Sequence, residues 1–248
     1  NNSIIATKLA LKLADYVVTE GGFASDLGAE KFFDLVAPQF GLRPDVVVLV
    51  ASVRALKSHG GVGMERITEK DPEAVRRGLS NLAKHLSNLR TVFQLPAVVA
   101  VNKFATDDPE ELTVVLNFCR TQEVPVAISE VVTRGGAGGV ELAKEVLATM
   151  ERVENRFTPL YDQNIPLEEK VALLATKIYG AEGVNYTKEA RRALVEIKEL
   201  GFEHLPVCMA KTQMSLTDDP KLKGAPQGWK LTVRDLKLSA GAGFVVVF

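Results

Sequence analysis

The polar residues best placed for chemistry stand directly after β-branched runs. Glu20 and Asp26 follow Tyr16-Val17-Val18-Thr19, and Arg54, Lys57, His59, Gly60 and Gly61 follow Val46 to Ala51. Asn102 and Lys103 follow Ala97 to Val101, and Glu130 with Gly135-Gly136-Ala137-Gly138-Gly139 follows Val124 to Ser129. Acids at one strand end can hold Mg²⁺, usually through waters. Arginine, lysine and a glycine-rich turn at another can hold phosphate or carboxylate. Together these types suit an anionic, metal-bound nucleotide. Each also has an ordinary structural reading. Glu20 and Asp26 serve equally as loop caps, Arg54 and Lys57 at helical spacing as a solvated face, and the two glycine clusters as plain connectors.

A dedicated phosphate cradle is missing from the sequence. No Gly-x-x-x-x-Gly-Lys-Ser/Thr and no Gly-x-Gly-x-x-Gly occurs, so phosphate neighbours are present without the loop that would hold the phosphates. Asn102-Lys103 has the types of a base-reading Asn-Lys step, but Phe104-Ala105 stands where the usual aspartate would follow. No Gly-x-Ser-x-Gly elbow and no Cys/His set at zinc spacing is present. Cys119 and Cys208 sit among apolar residues and read as buried free thiols in a reducing compartment.

The elements that must position these residues follow from periodicity. Helices are predicted over 4–14, 27–36, 72–89, 109–122 and 139–153. Strands are predicted at 16–19, 46–51, 97–102 and 124–129. The run Val46-Val47-Val48-Leu49-Val50-Ala51 suggests a strand buried on both faces. Alternating buried strands and helices predict a doubly wound, mostly parallel α/β sheet, whose ligand site lies beyond the carboxyl ends of its strands. After a boundary near Thr158 the pattern changes to a smaller α+β part. It has helices over 167–178 and 187–200 joined by Gly180 to Gly183, a strand at 205–210, an alternating strand at 229–238 and a final strand signal at 243–248. The expected domains are therefore 1–158 and 159–248.

Bulk properties narrow the partners. The 248 residues are 46% hydrophobic and 25% charged, with a net charge of −1. That balance offers no overall electrostatic reason for binding nucleic acid or an anionic membrane. The apolar runs fall well short of the roughly 20 residues that a bilayer span requires. No signal peptide precedes the first helix, and the protein is expected to be soluble, in cytoplasm or an organelle matrix. Both ends read as cut: nothing precedes the Asn1-Asn2-Ser3 cap, and the chain stops inside a strand signal at Phe248.

Long ordered runs give a specific resemblance. Asn2 to Thr7, Asp15 to Asp34 (with Glu20-Gly21-Gly22-Phe23-Ala24-Ser25-Asp26 inside it), Val46 to Gly61, Ile178 to Ala181, Leu205 to Pro220 and Ser239 to Phe244 resemble formate–tetrahydrofolate ligases. The resemblance covers nearly the whole chain. It implies a P-loop-NTPase-like fold and the joining of formate to tetrahydrofolate with MgATP, through formyl phosphate. It also implies a homotetramer and activation by a monovalent cation. On this resemblance Arg54, Lys57 and His59 line the formyl-phosphate pocket, with Gly60 and Gly61 beside the phosphates. Glu20 and Asp26 lie near Mg²⁺ or the phosphates, and Asn102 and Lys103 near the nucleotide. Lys211, Thr212, Gln213 and Leu216 border the folate, and Phe244 offers it a ring face. The family's P-loop would precede Asn1 and its final segment would follow Phe248. The sequence is thus expected to be an incomplete, poorly active ligase piece, or else a non-catalytic assembly piece of the same family.

Overall fold

The computed structural model describes residues 4–210, 215–219 and 221–248. They form two compact units, each discontinuous in sequence. Unit 1 comprises Asn1–Arg43, Pro159–Ser215 and Gly228–Phe248, and unit 2 comprises Pro44–Thr158 and Leu216–Gln227. The chain passes from unit 2 to unit 1 after Thr158, and it changes unit at three other points as well.

Unit 2 is built on three parallel strands, β1 (Val47–Ala51), β2 (Ala97–Asn102) and β3 (Val126–Ser129), in that order across the sheet. Val47 pairs with Ala97 and Ala51 with Val101, while Val99 pairs with Val126 and Asn102 with Ser129. Ala97 to Val101 are all buried, as a central parallel strand requires. β1 departs from the expectation of two-faced burial: Val50 is 65% exposed, and Val48 is exposed as well. β1 is an edge strand, and one of its faces has no cover among the described residues of this unit.

The helices of unit 2 start where capping chemistry allows. The Ser52 hydroxyl accepts the Ala55 N–H ahead of helix Val53–His59. Asp71 accepts the Ala74 N–H at 2.8 Å ahead of Pro72–Ser87. Asp108 and Glu111 form a capping box at the start of Pro109–Thr121. Helices 53–59 and 72–87 pack closely because glycine stands at the contact. A Cβ on Gly78 would lie 1.9 Å from the Leu56 carbonyl oxygen, and one on Gly60 would lie 2.0 Å from that of Ala74.

Unit 1 opens with helix Ile4–Leu13, which has no buried residue in it. The expected strand at Tyr16–Thr19 does not form: these residues make no ladder, and Val18 is 95% exposed. Strand propensity alone cannot make a strand without a neighbour to share its backbone hydrogen bonds. From Ser25 to Phe40 the chain is helical, with wide π-turns at Ser25–Ala29 and Phe32–Val36, and it ends at Gly41 in the left-handed region. Helix Leu167–Leu173 likewise runs into a π-turn, Leu174–Tyr179, stopped by left-handed Gly180.

Two small sheets complete unit 1. β4 (Gly183–Tyr186) pairs in parallel with β6 (Lys230–Val233). β5 (Val207–Met209) pairs in parallel with β8 (Phe244–Val247), which pairs antiparallel with β7 (Leu236–Ser239). The stretch 229–238, expected as one strand, is therefore two strands in different sheets, separated at Arg234-Asp235. There the Asp235 carboxylate accepts the N–H of Leu236 at 2.9 Å and re-aims the chain. The connector expected over 180–183 ends in β4, whose Gly183-Val184-Asn185-Tyr186 carries too few β-branched residues to announce itself.

One cation organises the middle of unit 1. The Lys170 ammonium is wholly buried and donates to the carbonyl oxygens of Gln163 (2.7 Å), His204 (2.6 Å) and Leu205 (3.1 Å). The Tyr161 ring lies 5.6 Å from it. The arrangement joins helix 167–173 to the loop just before it and to a loop 34 residues further on.

Two outcomes follow from this packing. Gly78→Ala forces the helix pair of unit 2 apart, and the loss, about 1–3 kcal/mol for overpacking, is read as a lower midpoint in urea followed by circular dichroism. Lys170→Met leaves three buried carbonyls without their donor and lowers the stability of unit 1 by about 3 kcal/mol or more. Fluorescence of Trp229, the single tryptophan and a residue of unit 1, measures it.

Candidate functional site

Parallel pairing brings the carboxyl ends of β1, β2 and β3 to one edge of unit 2, and Arg54 and Lys103 follow two of those ends directly. Ser52 ends the chain's exit from β1 and starts the next helix, which places Arg54 in its first turn. Arg54 Nη2 donates to Thr106 Oγ1 at 2.9 Å, and its guanidinium stands 4.6 Å from the Phe104 ring centre. Arg54 Nε is buried and meets no acceptor among the described residues. The loop after β2 thus holds the guanidinium in place from two sides and leaves one N–H unused.

The next strand ends interlock. Asn102 is the last residue of β2 and lies opposite Ser129. The Lys103 N–H donates to the Ser129 carbonyl, and Lys103 Nζ reaches Glu130 Oε1 at 2.8 Å. Arg134 Nη1 reaches the other Glu130 oxygen at 3.0 Å. Hydrogen bonds from Lys103 and then Arg134 hold the Glu130 carboxyl below its ordinary range. The Gly135–Gly139 turn folds back so that Gly138 O accepts the Glu130 N–H at 3.0 Å. A Cβ on Gly138 would meet the Glu130 carbonyl at 2.5 Å, so the glycine there answers a close backbone approach.

Lys57, read from the sequence as an anion ligand, occupies a different place. It is 1% exposed, and its ammonium donates to Glu111 Oε1 at 2.9 Å and to the Glu69 carbonyl at 2.8 Å. Glu111 also accepts the N–H groups of Asp71 at 2.8 Å and Asp108 at 3.3 Å. The pair ties helix 53–59, the loop ahead of Pro72 and helix 109–121 together, and Lys57 is committed to that task. His59 and Gly60 are half-buried at the end of helix 53–59, and Gly61 has a φ of 93°. Arg77 Nε donates to the Gly60 carbonyl. A hollow of about 260 Å³ beside Gly61 is lined by Glu65, Arg66, Glu69, Asp71 and Arg77, a mixture of signs.

The remaining candidates divide as follows. Leu216 belongs to unit 2 and is wholly buried. Glu20, Asp26 and Phe244 belong to unit 1. Glu20 lies exposed in its loop. Asp26 is buried, with Oδ1 unpartnered among the described residues, and its carbonyl accepts the Tyr179 hydroxyl at 3.3 Å. Phe244 is half-buried at the start of β8, opposite Ser239. Lys211, Thr212 and Gln213 lie outside the described residues. Among the described residues no three His, Cys, Asp or Glu side chains come together as a metal-holding group.

Phe104, Thr106, Glu111 and Arg134 were not singled out from the sequence. Only Arg134 carried a readable signal, four residues after Glu130 and next to the glycines. Phe104 looked like an interruption of the Asn-Lys step, yet it is the ring on which Arg54 rests.

Unit 2 is thus a parallel α/β unit with arginine, lysine and a glycine turn at the carboxyl edge of its sheet, the edge where ligands of such sheets bind. The chain belongs to the formate–tetrahydrofolate ligase family, whose model matches residues 1–248. Members are ligases of one-carbon metabolism that use ATP and tetrahydrofolate as substrates. No helix among the described residues is long and apolar enough to cross a membrane.

Glu111→Ala strands the Lys57 ammonium in the interior. Breaking a buried pair in this way costs about 3–5 kcal/mol. Hydrogen exchange at the Asp71 amide, which loses its acceptor, is expected to accelerate by orders of magnitude, and an unchanged rate would show that the pair does not hold the loop.

Proposed function

We propose that this chain takes part in the ATP-dependent joining of formate to tetrahydrofolate, with the carboxyl edge of β1–β3 facing the phosphoryl and formyl groups. A formate oxygen attacks the γ-phosphorus of ATP, the P–O bond to ADP breaks, and formyl phosphate results. N10 of tetrahydrofolate then attacks the formyl carbon, inorganic phosphate leaves, and N10 loses its proton. Mg²⁺ enters with ATP as part of the substrate.

The observation that carries this reading, beside the family match, is Arg54. Its guanidinium is braced by Thr106 and Phe104 and keeps a buried Nε–H that meets no acceptor among the described residues. A fixed, unspent donor at a strand end suits charge that develops on a transferring phosphoryl group, and such chemistry is chiefly positioning and charge stabilisation. Lys103 and Arg134, both anchored to Glu130, add positive potential at the same edge. Lys57 acts in this scheme through the loop it holds and not by touching phosphate.

The reading is tested by formation of 10-formyltetrahydrofolate from formate, MgATP and tetrahydrofolate. In a ligase that carries this chain, Arg54→Ala is expected to lower kcat by about 100-fold or more while raising the KM for tetrahydrofolate far less. Arg54→Lys should not restore it, because a point charge cannot both stack on Phe104 and reach Thr106. An unchanged kcat removes Arg54 from the site.

A further inference from the structure

Unit 1 buries two carboxyl groups that, among the described residues, no cation neutralises and a single backbone amide serves. Glu30 and Asp34 stand four residues apart on the helical stretch after Ser25, and both are 0% exposed. Asp34 Oδ1 accepts the Leu160 N–H at 2.7 Å. The other Asp34 oxygen and both Glu30 oxygens are buried and meet no donor among the described residues. Neither acid is in an ion pair there, although Lys31 lies near enough to Glu30 to be felt. The two carboxyl groups, one helical turn apart, lie within interaction range of each other. Two ionised carboxylates only accept hydrogen bonds, so a pair left together in this way has no bond to make. A proton on one of them supplies the missing donor.

We propose that Glu30 and Asp34 form a proton-sharing carboxyl dyad, and that loss of its proton loosens unit 1. The mechanism runs through Asp34. Its carboxylate holds the Leu160 N–H, and its carbonyl oxygen accepts Gln163 Nε2 at 3.0 Å, so it anchors the segment 159–163 to the helix. That segment carries Tyr161, whose hydroxyl accepts the Val207 N–H at 3.4 Å at the start of β5. Deprotonating Glu30 sets a second negative charge beside Asp34 in a dry interior, where repulsion is poorly screened. Relief comes by parting the two acids, and the Asp34 carboxylate cannot move away without releasing the Leu160 N–H.

The groups that face the dyad are few. On its own helix it is Lys31. From elsewhere come Tyr161, Tyr179 and Cys208 of β5. Burial drives both tyrosine hydroxyls upward, so they stay neutral beside the acids. Burial, and then the charge of Asp34, raises Glu30 well above its ordinary value. Burial pushes Asp34 up to about 7, against the opposing pull of the Leu160 amide. Both acids therefore bind their protons more tightly folded than unfolded. Their contribution to stability is full below the ordinary carboxyl range and is lost as pH rises through about 7 and beyond.

The test compares wild type with Glu30→Gln in urea, followed by fluorescence of Trp229, at about pH 6 and about pH 9. The amide keeps the shape, donates permanently to Asp34 and does not titrate. The expected result is a midpoint that falls with pH in wild type, with at least half of that fall abolished in Glu30→Gln. Infrared spectroscopy of the folded wild type at neutral pH should show a protonated-carboxyl stretch that Glu30→Gln lacks. Asp34→Asn provides the same infrared comparison should the first variant fail to fold. Equal pH dependence in wild type and variant, or no protonated-carboxyl band at neutral pH, overturns the proposal.

Discussion

Unit 2 depends on the parallel pairing of β1, β2 and β3. Each strand contributes few hydrogen bonds, but all three end at the same edge, and that is what assembles a site from residues about 25 to 50 positions apart. The pairing of Asn102 with Ser129 lets Lys103 bond to Ser129 and then reach Glu130. An antiparallel neighbour would send the Glu130 turn to the opposite end of the sheet. The same geometry leaves β1 at an edge with Val48 and Val50 exposed, so one strand of a buried-looking sequence has a buried and an open side.

Buried charge is handled in three ways in this molecule. Lys57 and Glu111 neutralise each other and spend their remaining capacity on backbone groups, so the ion pair also sets the loop ahead of Pro72. Lys170 has no carboxylate within ion-pair distance among the described residues and is met instead by three carbonyl oxygens. Its ammonium is held down to about 8 by burial, with nearby Asp162 opposing. Glu30 and Asp34 meet neither a cation nor enough amides among the described residues, and the proton proposed for them would take the place of both. In each case the buried group joins segments distant in sequence, which apolar packing alone would do with less directional control.

Much of the architecture was legible because periodicity and burial agree. The run at 97–102 is apolar on both faces and is buried on both. The helices expected from 72 and 109 begin at Pro72 and Pro109, where the structure adds Asp71 and Asp108 as caps. The misreadings share one cause, which is that strand formation needs a partner. Tyr16 to Thr19 has the right residues and no neighbour. Gly183 to Tyr186 has indifferent residues and a neighbour in Lys230 to Val233. The alternation through 229–238 continues unbroken while the chain turns at Arg234-Asp235 and changes sheets.

What the sequence by itself determined is the family, carried by long ordered runs, and the position of chemical groups at strand ends, because a parallel α/β pattern dictates where strand ends lie. It also set local features whose causes are local: caps, helix stops at Gly41 and Gly180, and the buried central strand. Only the tertiary structure decided which cation does what. Arg54 and Lys57 are three residues apart on one short helix, so they point along neighbouring directions, and nothing local separates their roles. Burial against Glu111 turns Lys57 into a brace, while the loop after β2 holds Arg54 through Thr106 and Phe104. That choice depends on which surfaces meet, a non-local matter that residue type and spacing do not encode.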